Sequence, residues 1–282
     1  MSFDVGLGQY YEADSVIHRL DPRTKLFFTI MYIVAIFVAK DAYAFIPLGA
    51  ILVFAVILSK VPILTILRGL KALVFIVLFT AVLNVFWTGG TTASMIFQYT
   101  IIPEKWTITL YWEGLYTAGL FAIRIICLLV CTTLFFSYTT TPIELTDGIE
   151  TALAPLKKIK IPVHEFAMMM TIALRFIPTL IEETNKIMNA QKARGADFNS
   201  GGLIKKAKAL IPIIIPLFVS AFRRADELAT AMECRGYRGG NGRTRMKKLK
   251  MHLRDIFWFI IPILLLAGVI VINIYGNGFK LG

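Results

Sequence analysis

Five runs of this chain, Leu26 to Ala39, Ala42 to Leu58, Ala72 to Trp87, Leu115 to Phe136 and Ile256 to Tyr275, are almost free of charge and close to the length that crosses a bilayer. That feature constrains the fold more than any other. Backbone amides in hydrocarbon have no water to bond, so such segments must satisfy themselves as helices. The first run is short on a strict count and borrows its flanks. The expected class is an all-α integral membrane protein of about five transmembrane helices, and 57% hydrophobic residues with 21 phenylalanines in 282 agree with it. The first 22 residues are polar and contain no apolar stretch resembling a cleavable signal.

Charge orients the spans. Twenty of the 30 Lys and Arg residues lie between Ser137 and Arg254, and Arg19, Arg23, Lys25, Lys60, Arg68 and Lys71 fill the other segments on the same side. The opposite side holds Lys40 and Lys105, with Lys280 near the end. Cytoplasmic loops retain positive charge. The expectation is a cytoplasmic N-terminus, an external C-terminus and a large cytoplasmic region between spans four and five. The chain then divides into a cytoplasmic segment 1–25, spans one to four over 26–136, a cytoplasmic domain 137–255, and a fifth span with an external tail over 256–282. The net charge of +12 is read as this sidedness and not as nucleic-acid binding.

Within 137–255, two weakly apolar stretches carry His164, Glu165, Arg175, Glu182, Glu183, Arg223 and Arg224, each costly at bilayer depth. Phe166, Met169, Met170, Ala173, Ile177, Leu180, Ile181, Thr184, Ile187 and Met188 recur at helical steps, which predicts an amphipathic helix with one apolar face. Pro178, Pro212 and Pro216 are expected to kink or break the helices here into several linked pieces. Near copies of one motif close both stretches: "AQKARGADF" from residue 190 and "AMECRGYRG" from residue 231. At an offset of 41 residues, Ala190 matches Ala231, Arg194 matches Arg235 and Gly195 matches Gly236. Glycine after the last helical residue is a common stop. The duplication and small flanks suggest more: an arginine held clear of bulk at a helix tip can fork onto a carboxylate of another protein.

These segments resemble a family. "RFIPTLIEETNKIMNAQKARGADF" (175–198) and "RRADELATAMECRGYRGG" (223–240) look like the two coupling segments of the transmembrane T component of energy-coupling factor transporters, and "SVIHRLDPRTKL" (15–26) and "TTTPIELTDGIETALAPLKK" (139–158) agree. The resemblance implies a non-catalytic subunit of the cell membrane that joins two ABC-type ATPases to a membrane-embedded substrate-binding S component for uptake of vitamins or metal ions. It implies that Ala193, Arg194 and Gly195, and Cys234, Arg235 and Gly236, dock into the ATPases, the second copy departing from the family in its cysteine. A coupling role for 137–255, with Met169, Met170, Arg175, Phe176 and Pro178 facing the S component, belongs to the same expectation.

The residues add their own limits. No G-x-x-x-x-G-K-[ST] phosphate loop occurs, so ATP and Mg are expected in the partner ATPases and no cofactor in this chain. Cys127, Cys131 and Cys234 are odd in number and scattered, and His18, His164 and His252 lie far apart, which argues against a disulfide framework or a metal site. Arg124, central in the fourth span, is expected to pair with a carboxylate or carbonyl inside the bundle or to serve a transport path. Asp21 and Pro22 fit a helix N-cap followed by proline. The rival readings are a conventional ABC permease enclosing its own substrate path and a membrane-anchored basic scaffold, the latter suggested by "GRTRMKKLKMHLR" (242–254).

Overall fold

The computed structural model describes residues 10, 11, 13–87, 95–102, 106–159, 162–196, 198, 202–239 and 251–276. Its helices are α1 (Pro22–Val38), α2 (Ala42–Ser59), α3 (Ile63–Trp87), α4 (Trp112–Thr132), α5 (Pro142–Ala152), α6 (Val163–Ala193), α7 (Leu203–Cys234) and α8 (Leu253–Gly276). A π-helical turn, Thr133–Tyr138, prolongs α4, and a 3-10 turn spans Ala154–Ile159. Between α3 and α4, β1 (Met95–Ile102) pairs antiparallel with β2 (Trp106–Tyr111). This hairpin is absent from the sequence expectation, although "WTITLY" has the β-branched and aromatic content of a strand. Among the described residues the other regular elements are helical.

Two compact units emerge, residues 8–148 with 249–282, and residues 1–7 with 149–248. In the first, α1 lies against α2, α4 and α8. Phe28, Phe135 and Trp258 meet with ring centroids 4.7 to 6.3 Å apart, and Phe27 stacks on Phe259 at 3.8 Å. Small residues, Ala35, Ala39, Ala44, Ala55, Cys127 and Cys131, are buried around them. With lipid as solvent on the outer face, such residues let helices approach closely enough for dispersion to hold them. Cys127 and Cys131 are free thiols in this core, as packing residues would be.

Among the described residues four helices are long and apolar enough to cross a membrane, or five if a bent pair counts as one span. The set differs in three places from the five runs expected. The helix expected from Ala72 begins at Ile63 and bends by 64° between Ile63–Gly69 and Val74–Asn84. Helix α1 has 17 residues, about 25 Å of rise, at the lower end of what spans. Helix α6, expected to be amphipathic, also qualifies by length and composition, because Arg175 is the sole charge between Phe166 and Ile181.

The expectation of broken helices at the prolines is corrected. Helices α6 and α7 run 31 and 32 residues without interruption at Pro178, Pro212 and Pro216. Each proline removes one backbone bond and strains one turn. In helices of about nine turns the remaining bonds carry the segment past that defect.

The junction of α1 and α8 is polar. Asp21 caps α1, accepting from the Arg23 amide at 3.0 Å, with Pro22 in the first turn as expected. Asp255, 2% exposed, accepts from the His252 amide at 2.7 Å and the Asp21 amide at 3.0 Å. One carboxylate therefore holds two helix starts. Lys25, fully buried, donates to the carbonyls of Thr139 and His18.

Candidate functional site

The repeated arginine motif forms two helix ends of one design. In α6, Gly195 takes φ +86°, its amide donates to the Lys192 carbonyl at 3.0 Å, and the Ala196 amide donates to Gln191 at 3.0 Å. In α7, Gly236 takes φ +74°, its amide donates to Glu233 at 2.8 Å, and the Tyr237 amide donates to Met232 at 3.0 Å. Both are Schellman closures, which satisfy helix carbonyls that would otherwise lack donors. Nothing lies within 4 Å of a side chain built on either glycine, so it is the positive φ and not space that selects glycine.

The arginines just before them match as closely. Arg194 has φ −86° and ψ 8°, Arg235 has φ −85° and ψ 7°, and both side chains are exposed. Neighbouring Ala193 and Cys234 are exposed as well. Each guanidinium thus projects from a rigid, chain-reversing end flanked by small residues. That arrangement suits bidentate bonding to a carboxylate or to backbone carbonyls of a partner groove.

The two ends have a fixed relation. Arg224 on α7 donates to Glu183 on α6 at 2.9 Å. These positions are equivalent in the repeat, 41 residues apart, and each lies 11 residues before its arginine. The helices therefore meet at matching points, with each tip about 16 Å beyond the contact. Nine residues, 194–202, separate the end of α6 from the start of α7.

On α6, Phe166, Met169, Met170 and Arg175 are exposed, Phe176 is half-buried and Pro178 is exposed. Of the residues expected to meet a partner, the exposed ones thus outnumber the half-buried one. A larger exposed face, whose residues the sequence reading did not single out, runs along α7: Leu210, Ile211, Ile214, Ile215, Phe218 and Phe222 are exposed. Their three- and four-residue spacing is the signal that marks them as one face.

Arg124 stays within the first unit. It donates to the Ala39 carbonyl at 2.7 Å and lies over the rings of Phe45 and Phe121, at 5.7 and 5.2 Å. Asn273 supports the same turn, its amide donating to the Val38 carbonyl at 2.6 Å. The carbonyl mate expected for Arg124 is thus a helix end. Among the described residues no three His, Cys, Asp or Glu side chains gather as a metal site. Residues 242–250 of the basic run lie outside the described residues.

A family model for CbiQ, cobalt transport protein, matches residues 13–247. The chain is 52% identical over 253 residues to the energy-coupling factor transporter transmembrane protein EcfT of Clostridium kluyveri, covering 89% of this chain and 90% of that one. Similarity to EcfT of Ruminiclostridium cellulolyticum is 47% over 270 residues, 96% and 97% of the two chains. For EcfT of Bacillus subtilis it is 45% over 265 residues, 94% and 96%.

Proposed function

Because the chain belongs to the family of CbiQ and the EcfT transmembrane proteins of energy-coupling factor transporters, we propose that it joins two cytoplasmic ABC-type ATPases to a membrane-embedded S component. The chain is a multi-pass membrane protein of such a transporter. In the proposed mechanism Arg194 and Arg235 enter one groove on each ATPase, and closure of the ATPase pair on ATP moves the two tips. Helices α6 and α7 pass that motion to the S component, whose substrate site reorients. The energy source, ATP with Mg, sits in the ATPases, and this chain performs no chemistry. The termini lie on opposite sides, the N-terminus in the cytoplasm.

The observation that carries this reading is the pair of superposable helix ends, each presenting an exposed arginine between small residues. A stop signal alone needs no arginine in either copy and no shared offset. The exposed apolar stripe on α7 supplies the surface an integral partner would cover.

Removing one member of a buried interfacial charge pair costs about 2 to 5 kcal/mol, so losing both arginines takes a stable complex to a largely dissociated one. The variant Arg194→Ala with Arg235→Ala is expected to lose co-purifying ATPases and uptake while its membrane insertion and thermal unfolding stay those of the parent. Lysine at both positions retains charge but loses the fork, and is expected to recover little. Uptake at the parental rate by the double alanine variant would end the docking role.

A further inference from the structure

A half-open cavity of about 340 Å³ lies where α2 ends and α8 begins, within the unit formed by residues 8–148 and 249–282. Its walls differ in chemistry. Ile57 and Leu58, from the last turn of a membrane-length helix, give an apolar side, with Ile57 69% exposed. Arg19, Lys60 and Arg254 give a cationic rim, with Asp14 the carboxylate among them.

The charges do not cancel. Asp14 is already engaged by Arg19, whose Nε donates to it at 2.7 Å while Nη2 grips the second oxygen. Arg19 holds the Asp14 carboxyl below its ordinary pKa, with Lys60 a lesser contributor. Among the described residues, Lys60 and Arg254 enter no ion pair. With Asp14 the one carboxylate beside Arg19, Lys60 and Arg254, the described lining carries an excess of positive charge.

Lys60 also stands where glycine belongs. It ends α2 at φ +56° and is the positive-φ residue other than glycine among those described. A left-handed backbone is disfavoured for a residue with a Cβ, a cost glycine would remove. The side chain is held at that position against local conformational preference.

We infer that this cavity binds the phosphate of an anionic phospholipid headgroup between Lys60 and Arg254, with the lipid's acyl chains along Ile57 and the outer face of α2. Its volume is at the lower end for small-molecule sites and suits a glycerophosphate headgroup. Basic pockets between spans at the membrane surface take such headgroups. A free phosphate would use the cations and leave the apolar wall unoccupied, so the lipid is the better fit. The inference does not rest on the docking of ATPases.

The test uses the full chain in phosphatidylcholine nanodiscs titrated with phosphatidylglycerol, with retained lipid counted by native mass spectrometry. The parent is expected to keep one phosphatidylglycerol after the rest are stripped. Lys60→Gln with Arg254→Gln should weaken that retention about thirtyfold, the weight of two surface cations. Lys60→Gly should lose retention while melting no lower than the parent, which separates binding from folding. Arg68→Gln with Lys71→Gln, an equal charge change elsewhere, should retain the lipid. Undiminished retention by Lys60→Gly, equal loss in the Arg68 and Lys71 variant, or full displacement by inorganic phosphate would each overturn the assignment.

Discussion

Asp255 accepts from a backbone amide at the start of α8 and from another at the start of α1, so its two oxygens do different work in the same buried place. Asp255→Asn keeps the shape but turns one acceptor into a donor, leaving an amide without a partner. A buried group so stranded costs about 1 to 3 kcal/mol, and the variant's thermal unfolding in detergent should fall accordingly. His18 offers a pH test in the same region. Its Nε2 faces the Tyr11 carbonyl at 2.9 Å and so carries the proton, while Nδ1 receives the Ser15 hydroxyl at 2.6 Å. Burial first, and then the Lys25 charge, hold its pKa below the ordinary value, against the raising effect of the Tyr11 carbonyl. The folded state thus binds fewer protons than the unfolded one. Stability from this residue is present above the unfolded pKa and is lost as pH falls from there through the lower folded pKa. Melting temperature should drop between pH 7 and pH 5, and His18→Gln should flatten that slope. The cap at Asp21 and Pro22 was legible in sequence because its partner is two residues away. The role of Asp255 was not, because its partner Asp21 is 234 residues distant in the chain.

At the scale of the helix, mutation can separate the helix cap from the docking role proposed for the arginine motif. Gly195→Ala and Gly236→Ala force a Cβ into a left-handed conformation at roughly 1 to 2 kcal/mol each. Hydrogen exchange at the last turns of α6 and α7 should quicken in these variants and remain unchanged in Arg194→Ala and Arg235→Ala. Equal fraying in both sets would make the arginines part of the cap. The helix stops were readable since a Schellman closure needs only local residues. The prolines misled for the converse reason: their cost is local, whereas helix persistence reflects the whole length of α6 and α7. The β1–β2 hairpin escaped notice inside a segment read only as the connection between two spans.

On the scale of the unit formed by 149–248, the Glu183–Arg224 contact and the short linker limit the distance between the tips. Cys127 and Cys131 are buried and Cys234 is exposed, so a spin label on Cys234 with a second on Ala193→Cys reports that distance directly. A value near 10 Å would mean that α6 and α7 run side by side in the same direction. Sequence alone supplied the two tips but no spacing, because an offset of 41 residues carries no angle. The crossing also has unequal limbs. From Glu183 back to Val163 there are 20 residues, and from Arg224 back to Leu203 there are 21, against 11 to each arginine. A stiff helix pivoting at that ion pair would multiply a displacement at its arginine about twofold at its far end, which would trade force for travel in the proposed coupling.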